Sequence, residues 1–74
     1  MEPISVQCYA SYKGDQRPVR FDMGGNTYMV EELLDQWYGP EDTFFKLRAD
    51  DGNLYILRHR PVGDVWTLES FRRA

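Results

Sequence analysis

The stretch TFFKLRADDGNLYILRHR, residues 43–60, decides how the chain is expected to fold. Two runs rich in Phe, Leu, Tyr and Ile, residues 43–49 and 54–60, flank the polar pair Asp51-Gly52. Aromatic and β-branched residues favour pleated strands. Asp-Gly is typical of a two-residue type I′ turn, because both residues tolerate a positive φ. The stretch therefore predicts an antiparallel β-hairpin.

A two-residue turn implies one register for this hairpin, in which Ala49 pairs with Leu54 and Arg48 with Tyr55. One face then carries an apolar set that we expect in the core: Phe45, Leu47, Ala49, Leu54 and Ile56. The other face mixes rings with bases: Phe44, Lys46, Arg48, Tyr55, Leu57 and His59.

Alternation with a period of two extends beyond the hairpin and predicts further strands. Residues 5–12 and 17–23 each place apolar side chains on one face: Val6, Cys8, Ala10 and Tyr12 in the first, Val19, Phe21 and Met23 in the second. Residues 27–30 and 65–71 also have strand composition. Turn sequences separate these segments: Gly14-Asp15, Gly24-Gly25-Asn26 and Gly63-Asp64. The length of the turn at Pro61–Asp64 decides which face Trp66 and Leu68 join, and the sequence leaves it open.

The segment after Val30 fits two structures. Val30, Leu33, Leu34 and Trp37 match the i, i+3, i+4, i+7 spacing of a helix, and Gly39-Pro40 is a suitable end for one. The same residues fit a strand that contains a bulge. A short helix near 31–38 and a continued strand both stay open.

Together these segments predict a mainly β fold: a small antiparallel meander of five or six strands, of SH3-like size. A flat open sheet would leave two edges bare, so we expect the meander to curl into a barrel-like sheet. The chain is expected to be one small domain, residues 1–74, with an ordered core at about 4–71.

Composition predicts a cytoplasmic protein with no membrane partner. Of the 74 residues, 42% are hydrophobic and 28% are charged, as in folded soluble domains. No run approaches the roughly 20 apolar residues that span a bilayer, and no basic start followed by an apolar run indicates a signal peptide. The single cysteine, Cys8, cannot form an intrachain disulfide, which is typical of a reducing compartment.

The net charge of −3 is unevenly distributed. Residues 1–40 hold three bases and six acids, whereas residues 41–74 hold six of each. Binding to nucleic acid mainly through phosphates is usually accompanied by a basic excess, so the overall charge argues against that mode and leaves room for a local patch in the second half. The acidic cluster Glu31, Glu32 and Asp35 is expected to be a solvated face.

No residue pattern predicts catalysis, a metal site or a cofactor. Cys8 and His59 are the one nucleophile–base pair by type, and nothing in the sequence brings them together. A structural zinc site usually takes four Cys or His ligands. The run Asp50–Asn53 faintly resembles a calcium loop, but Pro61 stands where the twelfth-position carboxylate is needed. Gly24-Gly25 has neither the Lys nor the spacing of a phosphate-binding loop.

Several motifs carry a resemblance to known sequences: Arg17-Pro18-x-x-Phe21, Val30-x-Glu32-Leu33-x-Asp35-x-Trp37, Phe45-Lys46-Leu47, Asp51-Gly52-x-x-Tyr55-x-Leu57-Arg58 and Trp66-x-Leu68. On these, residues 5–71 resemble a family of short, uncharacterised bacterial cytosolic proteins. The chain is also similar, more loosely, to a domain of unknown function that accompanies Y-family-type DNA polymerase accessory proteins. The motifs are mostly turns and apolar positions, so the resemblance implies a fold, and the looser one implies a role near DNA repair.

The predicted function is a non-enzymatic interaction module that docks a protein partner or a second copy of itself. The candidate binding residues lie on the aromatic–basic face: Phe44, Lys46, Arg48, Tyr55 and His59. An ordinary exposed sheet face with cross-strand packing explains the same pattern. The alternative function is a nucleic-acid-associated accessory domain in repair or replication, in which the rings stack on bases and the cations meet phosphates.

Overall fold

The computed structural model describes residues 3–10 and 16–73, which form six β-strands. The strands are β1 (Pro3–Ala10), β2 (Gln16–Met23), β3 (Asn26–Tyr38), β4 (Thr43–Ala49), β5 (Leu54–Arg60) and β6 (Val65–Arg72). Each strand pairs antiparallel with the next along the chain, and β1 pairs with β6 to close a barrel. The predicted mainly β meander, curled into a barrel of SH3-like size, is confirmed.

Closure of the barrel depends on a short seam. Among the described residues, β1 pairs with β6 at just two positions, Pro3↔Thr67 and Ile4↔Trp66, whereas β4 and β5 pair at six. β3 pairs with β2 through its first four residues and with β4 from Val30 onward. It therefore joins the β1–β2 part of the sheet to the β4–β6 part. In the described part of the chain, no helix is long and apolar enough to cross a membrane.

The segment after Val30 is strand, so the helix alternative for residues 31–38 is wrong and the bulged strand is confirmed. The register with β4 breaks after Val30 and again after Leu33. A bulge inserts one residue, so Val30 and Leu33 both pack against the core although they are three positions apart. Leu34 is the inserted residue of the second break and is 41% exposed. The first bulge therefore reproduces the three-residue spacing of Val30 and Leu33 that also fits a helix, whereas Leu34 and Trp37 lie outside the core.

The β4–β5 turn contains three residues rather than the predicted two. The Gly52 N–H donates to the carbonyl of Ala49 at 2.9 Å, and the Ala49 N–H donates to the carbonyl of Asn53 at 3.1 Å. Gly52 has a φ of +83°, the left-handed conformation that closes this kind of loop. Arg48 consequently pairs with Leu54, one position away from the predicted register.

A slip of one position turns every side chain of β5 to the opposite face. Tyr55 and Leu57 are buried in the core, and the predicted core positions of Leu54 and Ile56 are wrong, because both lie outside the core cluster. The β4 half of the prediction is confirmed, since three residues of that strand are buried: Phe45, Leu47 and Ala49.

Glycines with a positive φ also occur in the β2–β3 and β5–β6 turns. Gly24 and Gly25 have φ values of +58° and +81°, and Met23 pairs with Asn26 on either side of them. The β2–β3 connection is therefore a two-residue type I′ turn. Between β5 and β6, four residues (61–64) connect the pair Arg60↔Val65. This even length sends Trp66 into the core and packs Leu68 against it. The predicted turn at Gly14-Asp15 lies outside the described residues.

The core combines seven buried apolar residues from four strands: Phe21, Phe45, Leu47, Ala49, Tyr55, Leu57 and Trp66. Val6, Cys8 and Met23 pack against them as the alternation predicts. Val19 does not, and is 39% exposed, because the β1–β2 register shifts beside it and Pro18 pairs with Cys8 instead. The side chains of Ala10 and Tyr12 lie outside the described set.

Candidate functional site

The predicted aromatic–basic face is divided between the two sides of the barrel wall. Lys46, Arg48 and Phe44 alternate with the buried residues of β4 and so point outward. Tyr55 and His59 belong to the buried set of β5, at 2% and 8% exposure. The expectation that these five residues share one surface is wrong, and the three-residue turn is the physical reason.

His59 makes contacts that stabilise the fold, one with a core ring and one with the β5–β6 turn. Its ring stacks on Trp66, with centroids 4.3 Å apart and planes inclined by 24°. Its Nε2 lies 2.7 Å from Oδ1 of Asp64, a hydrogen bond that joins β5 to the β5–β6 turn. Asp64 itself has a φ of +52°, so this contact holds the turn in a conformation that a residue with a side chain rarely adopts.

Outward residues of three strands instead form one continuous surface, which we call the outer face of β4–β6. It comprises Phe44, Lys46, Arg48, Leu54, Ile56, Arg58, Ser70 and Arg72. Cross-strand pairing sets two rows across it, Lys46–Ile56–Ser70 and Arg48–Leu54–Arg72. A depression of about 150 Å³ lies over the two aliphatic side chains, with Lys46 and Arg72 at its rim.

Charge is segregated by strand. β4, β5 and β6 together hold five bases and one acid, whereas β3 holds three acids and no base. Arg48 pairs with Glu32 of β3 at 2.9 Å, and Arg58 lies 4.0 Å from Glu69. Among the described residues, no acidic side chain forms an ion pair with Lys46 or Arg72. Lys46 and Arg72 therefore give the outer face a positive rim that no close ion pair with a described acid neutralises.

An aromatic pair stands at one end of this face. Trp37 of β3 and Phe44 of β4 are cross-strand partners whose rings stack 5.5 Å apart at an angle of 9°. Trp37 is 38% exposed, and its neighbour Tyr38 is 73% exposed. The ring pair thus adds a partly exposed aromatic surface beside the β4 side of the outer face.

The environments of Cys8 and His59, the nucleophile–base pair considered from the sequence, do not favour a reactive thiolate. Burial and the nearby Asp64 carboxylate raise the pKa of the Cys8 thiol, so the thiolate that would act as nucleophile is disfavoured at neutral pH. The same carboxylate is hydrogen-bonded to Nε2 of His59. Across the described ranges, no group of three or more His, Cys, Asp or Glu side chains is placed to hold a metal ion.

Sequence reasoning missed the β5 and β6 members of the outer face, namely Leu54, Ile56, Arg58, Ser70 and Arg72. The available signal was the second acid in Asp50-Asp51-Gly52, because three polar residues ending in Gly suit a loop with a left-handed third position. The apolar pattern of β5 does not indicate which residues face the core, since its first four residues are all apolar.

Comparison with known proteins finds no matching family model, no similar curated protein and no similar solved structure. The resemblance described from the sequence therefore stays a prediction, and function has to be argued from the geometry of the surface.

Proposed function

We propose that the chain is a non-catalytic interaction module that docks an acidic segment of a protein partner on the outer face of β4–β6. The observation that carries this proposal is the aliphatic centre formed by Leu54 and Ile56, beside Lys46 and Arg72, two cations that form no ion pair with any described acid. An apolar centre inside a charged rim is the usual anatomy of a protein interface.

The aromatic end of the face supports the same function. Trp and Arg are enriched among the residues that contribute most binding energy at interfaces, and the exposed Trp37 ring lies beside this arginine-rich surface. Because Trp37 and Phe44 are already stacked, little side-chain freedom remains to be lost when a partner covers them.

Charge determines the chemistry of the partner. The strands of the face carry a net charge of +4, five bases minus one acid, on a chain whose total is −3. A partner segment that alternates acidic and aliphatic residues would place carboxylates opposite Lys46 and Arg72 and its apolar side chains over Ile56. Charges at the rim of an interface mainly accelerate association and select the partner.

A protein fits this surface better than a nucleic acid does. Arg48 is neutralised by Glu32, and Asp35 lies opposite Lys46 on β3. These acids repel a phosphate and a peptide carboxylate alike, but the aliphatic side chains of a peptide can also cover Leu54 and Ile56, which a phosphate backbone cannot. Nucleic-acid binding is therefore the alternative that the experiment must separate.

The experiment is a calorimetric titration with a short peptide of alternating glutamate and leucine, compared with a short oligothymidylate. The double variant Lys46→Glu/Arg72→Glu should bind the peptide at least about tenfold more weakly, a loss of about 1.4 kcal/mol. Arg17→Glu is the control, because Arg17 is an exposed base on β2, a strand that β3 separates from the outer face. Circular dichroism checks that every variant is folded.

Three results would overturn the proposal. The first is equal peptide binding by the double variant and the parent chain. The second is tighter binding to the oligothymidylate than to the peptide, which would favour the nucleic-acid alternative. The third is a dimer that forms without any ligand and is lost in the double variant, seen by light scattering, which would mean that the face docks a second copy of the chain.

A further inference from the structure

A second depression opens at the end of the barrel between the β2–β3 and β4–β5 turns, and its volume is about 470 Å³. Its apolar lining includes three aromatic rings and two aliphatic side chains, and we call it the aromatic groove: Met23, Tyr28, Tyr55, Leu68 and Phe71, with Asp51 at the rim. None of these residues belongs to the outer face of β4–β6, so the groove is a separate surface.

The rings form a floor with two walls. Tyr55 is the floor, 2% exposed, and packs edge-on against the fully buried Phe21. Tyr28 and Phe71 form the walls, with centroids 5.6 and 5.1 Å from that of Tyr55 and planes inclined to it by 48° and 51°. Phe71 is 48% exposed, so one aromatic wall is open to a ligand.

Of the described residues that line the groove, Asp51 is the one with a charged side chain. Although burial acts in the opposite direction, hydrogen bonds from Tyr55 and Asn53 lower the pKa of this carboxyl, which is therefore ionised at neutral pH. Its oxygens accept the backbone N–H of Asn53 at 3.0 Å, the Asn53 side-chain amide at 3.1 Å and the Tyr55 hydroxyl. The groove thus has a negative charge whose acceptor positions are largely occupied.

From this combination we infer that the aromatic groove binds the alkylated ammonium group of a methylated lysine in a partner protein. Aromatic faces and a carboxylate both attract a cation, and recognition of quaternary ammonium groups by aromatic side chains rests on this attraction. An unmodified lysine needs acceptors for its three N–H donors. Asp51 can offer few, whereas a trimethylated ammonium needs none.

The shape of the groove indicates that the cation arrives on a side chain. The depression is open along its rim at the end of the barrel instead of being enclosed, so a peptide can lie outside while one side chain reaches the rings. A free small cation would leave most of this open rim in contact with water, and sites for small molecules usually bury most of the ligand surface.

The test is an NMR titration of the full chain with a glycine–serine peptide that carries one trimethyllysine. Three probes are compared with it: the same peptide with lysine, the same peptide with an uncharged tert-butyl isostere of trimethyllysine, and free choline. We expect trimethyllysine to bind about tenfold more tightly than each of the three, with the largest shifts at Tyr28 and Phe71. Binding equal to that of the isostere, or tighter binding of choline, would overturn the inference.

Two variants locate the site. Phe71→Leu keeps an apolar side chain but removes a wall, and Asp51→Asn removes the charge while keeping the size, so each should weaken trimethyllysine binding about tenfold. Phe44→Leu, the same change on the outer face of β4–β6, is the matched control and should leave this binding unchanged. Unchanged binding in both groove variants, with folding verified by circular dichroism, would contradict the inference without affecting the proposal for the outer face.

Discussion

The hydroxyl of Tyr55 donates a hydrogen bond to the carboxylate of Asp51, four residues earlier on the other side of Gly52. The same carboxylate accepts the backbone N–H of Asn53, so the loop and the inward side of β5 are joined at one group. This contact accompanies the register that turns Tyr55 into the barrel, and it also sets the charge at the rim of the aromatic groove.

Removing the Tyr55 hydroxyl is expected to destabilise the fold. Tyr55→Phe keeps the buried ring and loses one charge-assisted hydrogen bond, so the free energy of unfolding should fall by about 1–2 kcal/mol. A domain of this size would then melt about 4–8 °C lower for each kcal/mol lost. Tyr9→Phe, at a tyrosine that is 65% exposed, is the matched control and should change the melting temperature little.

A double-mutant cycle separates the hydrogen bond from other effects. Tyr55→Phe and Asp51→Asn together should cost less than the sum of the single changes, because each removes the same interaction. Strict additivity in urea unfolding would show that the two side chains do not interact in solution.

Acid should weaken the fold partly through Asp51. Its pKa in the folded chain lies below the ordinary value of 3.8, so its contribution to stability is fully present above that value and is lost as the pH falls through the folded pKa. The difference in unfolding free energy between the parent chain and Asp51→Asn should therefore shrink as the pH falls below 3.8. Glu31→Gln controls for the loss of one exposed carboxylate; a difference that stays constant with pH would contradict the expected linkage.

Most of the fold follows from local signals in the sequence. Alternation and strand composition located five of the six described strands within a few residues and the start of β3, and the predicted turn at Gly24-Gly25 is of type I′. Register does not follow as readily, because it depends on a single residue of turn length and because Leu54, Tyr55, Ile56 and Leu57 are apolar on both faces.

The candidate site could be predicted only in part for the same reason. The outward bases and ring of β4 were found, since Phe44, Lys46 and Arg48 alternate with a clear apolar set. The residues contributed by β5 and β6 depend on long-range pairing, which local composition does not specify. Likewise, the two bulges of β3 arise from pairing with β4, and the sequence shows only the three-residue spacing of Val30 and Leu33 that the first of them accommodates.

The observed register buries one leucine of β5 in the core and places the other on the outer face. Leu57 is fully buried, so Leu57→Ala should lower the free energy of unfolding by about 2–5 kcal/mol through lost burial and a cavity. Leu54 lies on the outer face, and Leu54→Ala should cost about 1 kcal/mol or less. Urea unfolding of the two variants checks this order, and a larger loss for Leu54→Ala would favour the register of a two-residue turn.

Gly52 should resist substitution for conformational reasons alone. Its φ is +83°, and an added Cβ would meet no atom within 4 Å, so strain of the backbone is the whole cost. Gly52→Ala should therefore lose about 1–2 kcal/mol of stability, and Gly52→Asn less, because asparagine tolerates the left-handed region better. Thermal unfolding compares the pair; equal losses would contradict this explanation.

The most direct test of the interaction surface is amide chemical-shift mapping with the glutamate–leucine peptide. We expect the shifted amides to cluster at Phe44, Lys46, Ile56 and Arg72, while those of Arg17 and Val19 on β2, which β3 separates from this face, stay in place. Shifts that cluster on β1 and β2 instead, or no shifts at any peptide concentration, would contradict the assignment of the outer face of β4–β6 as the docking surface.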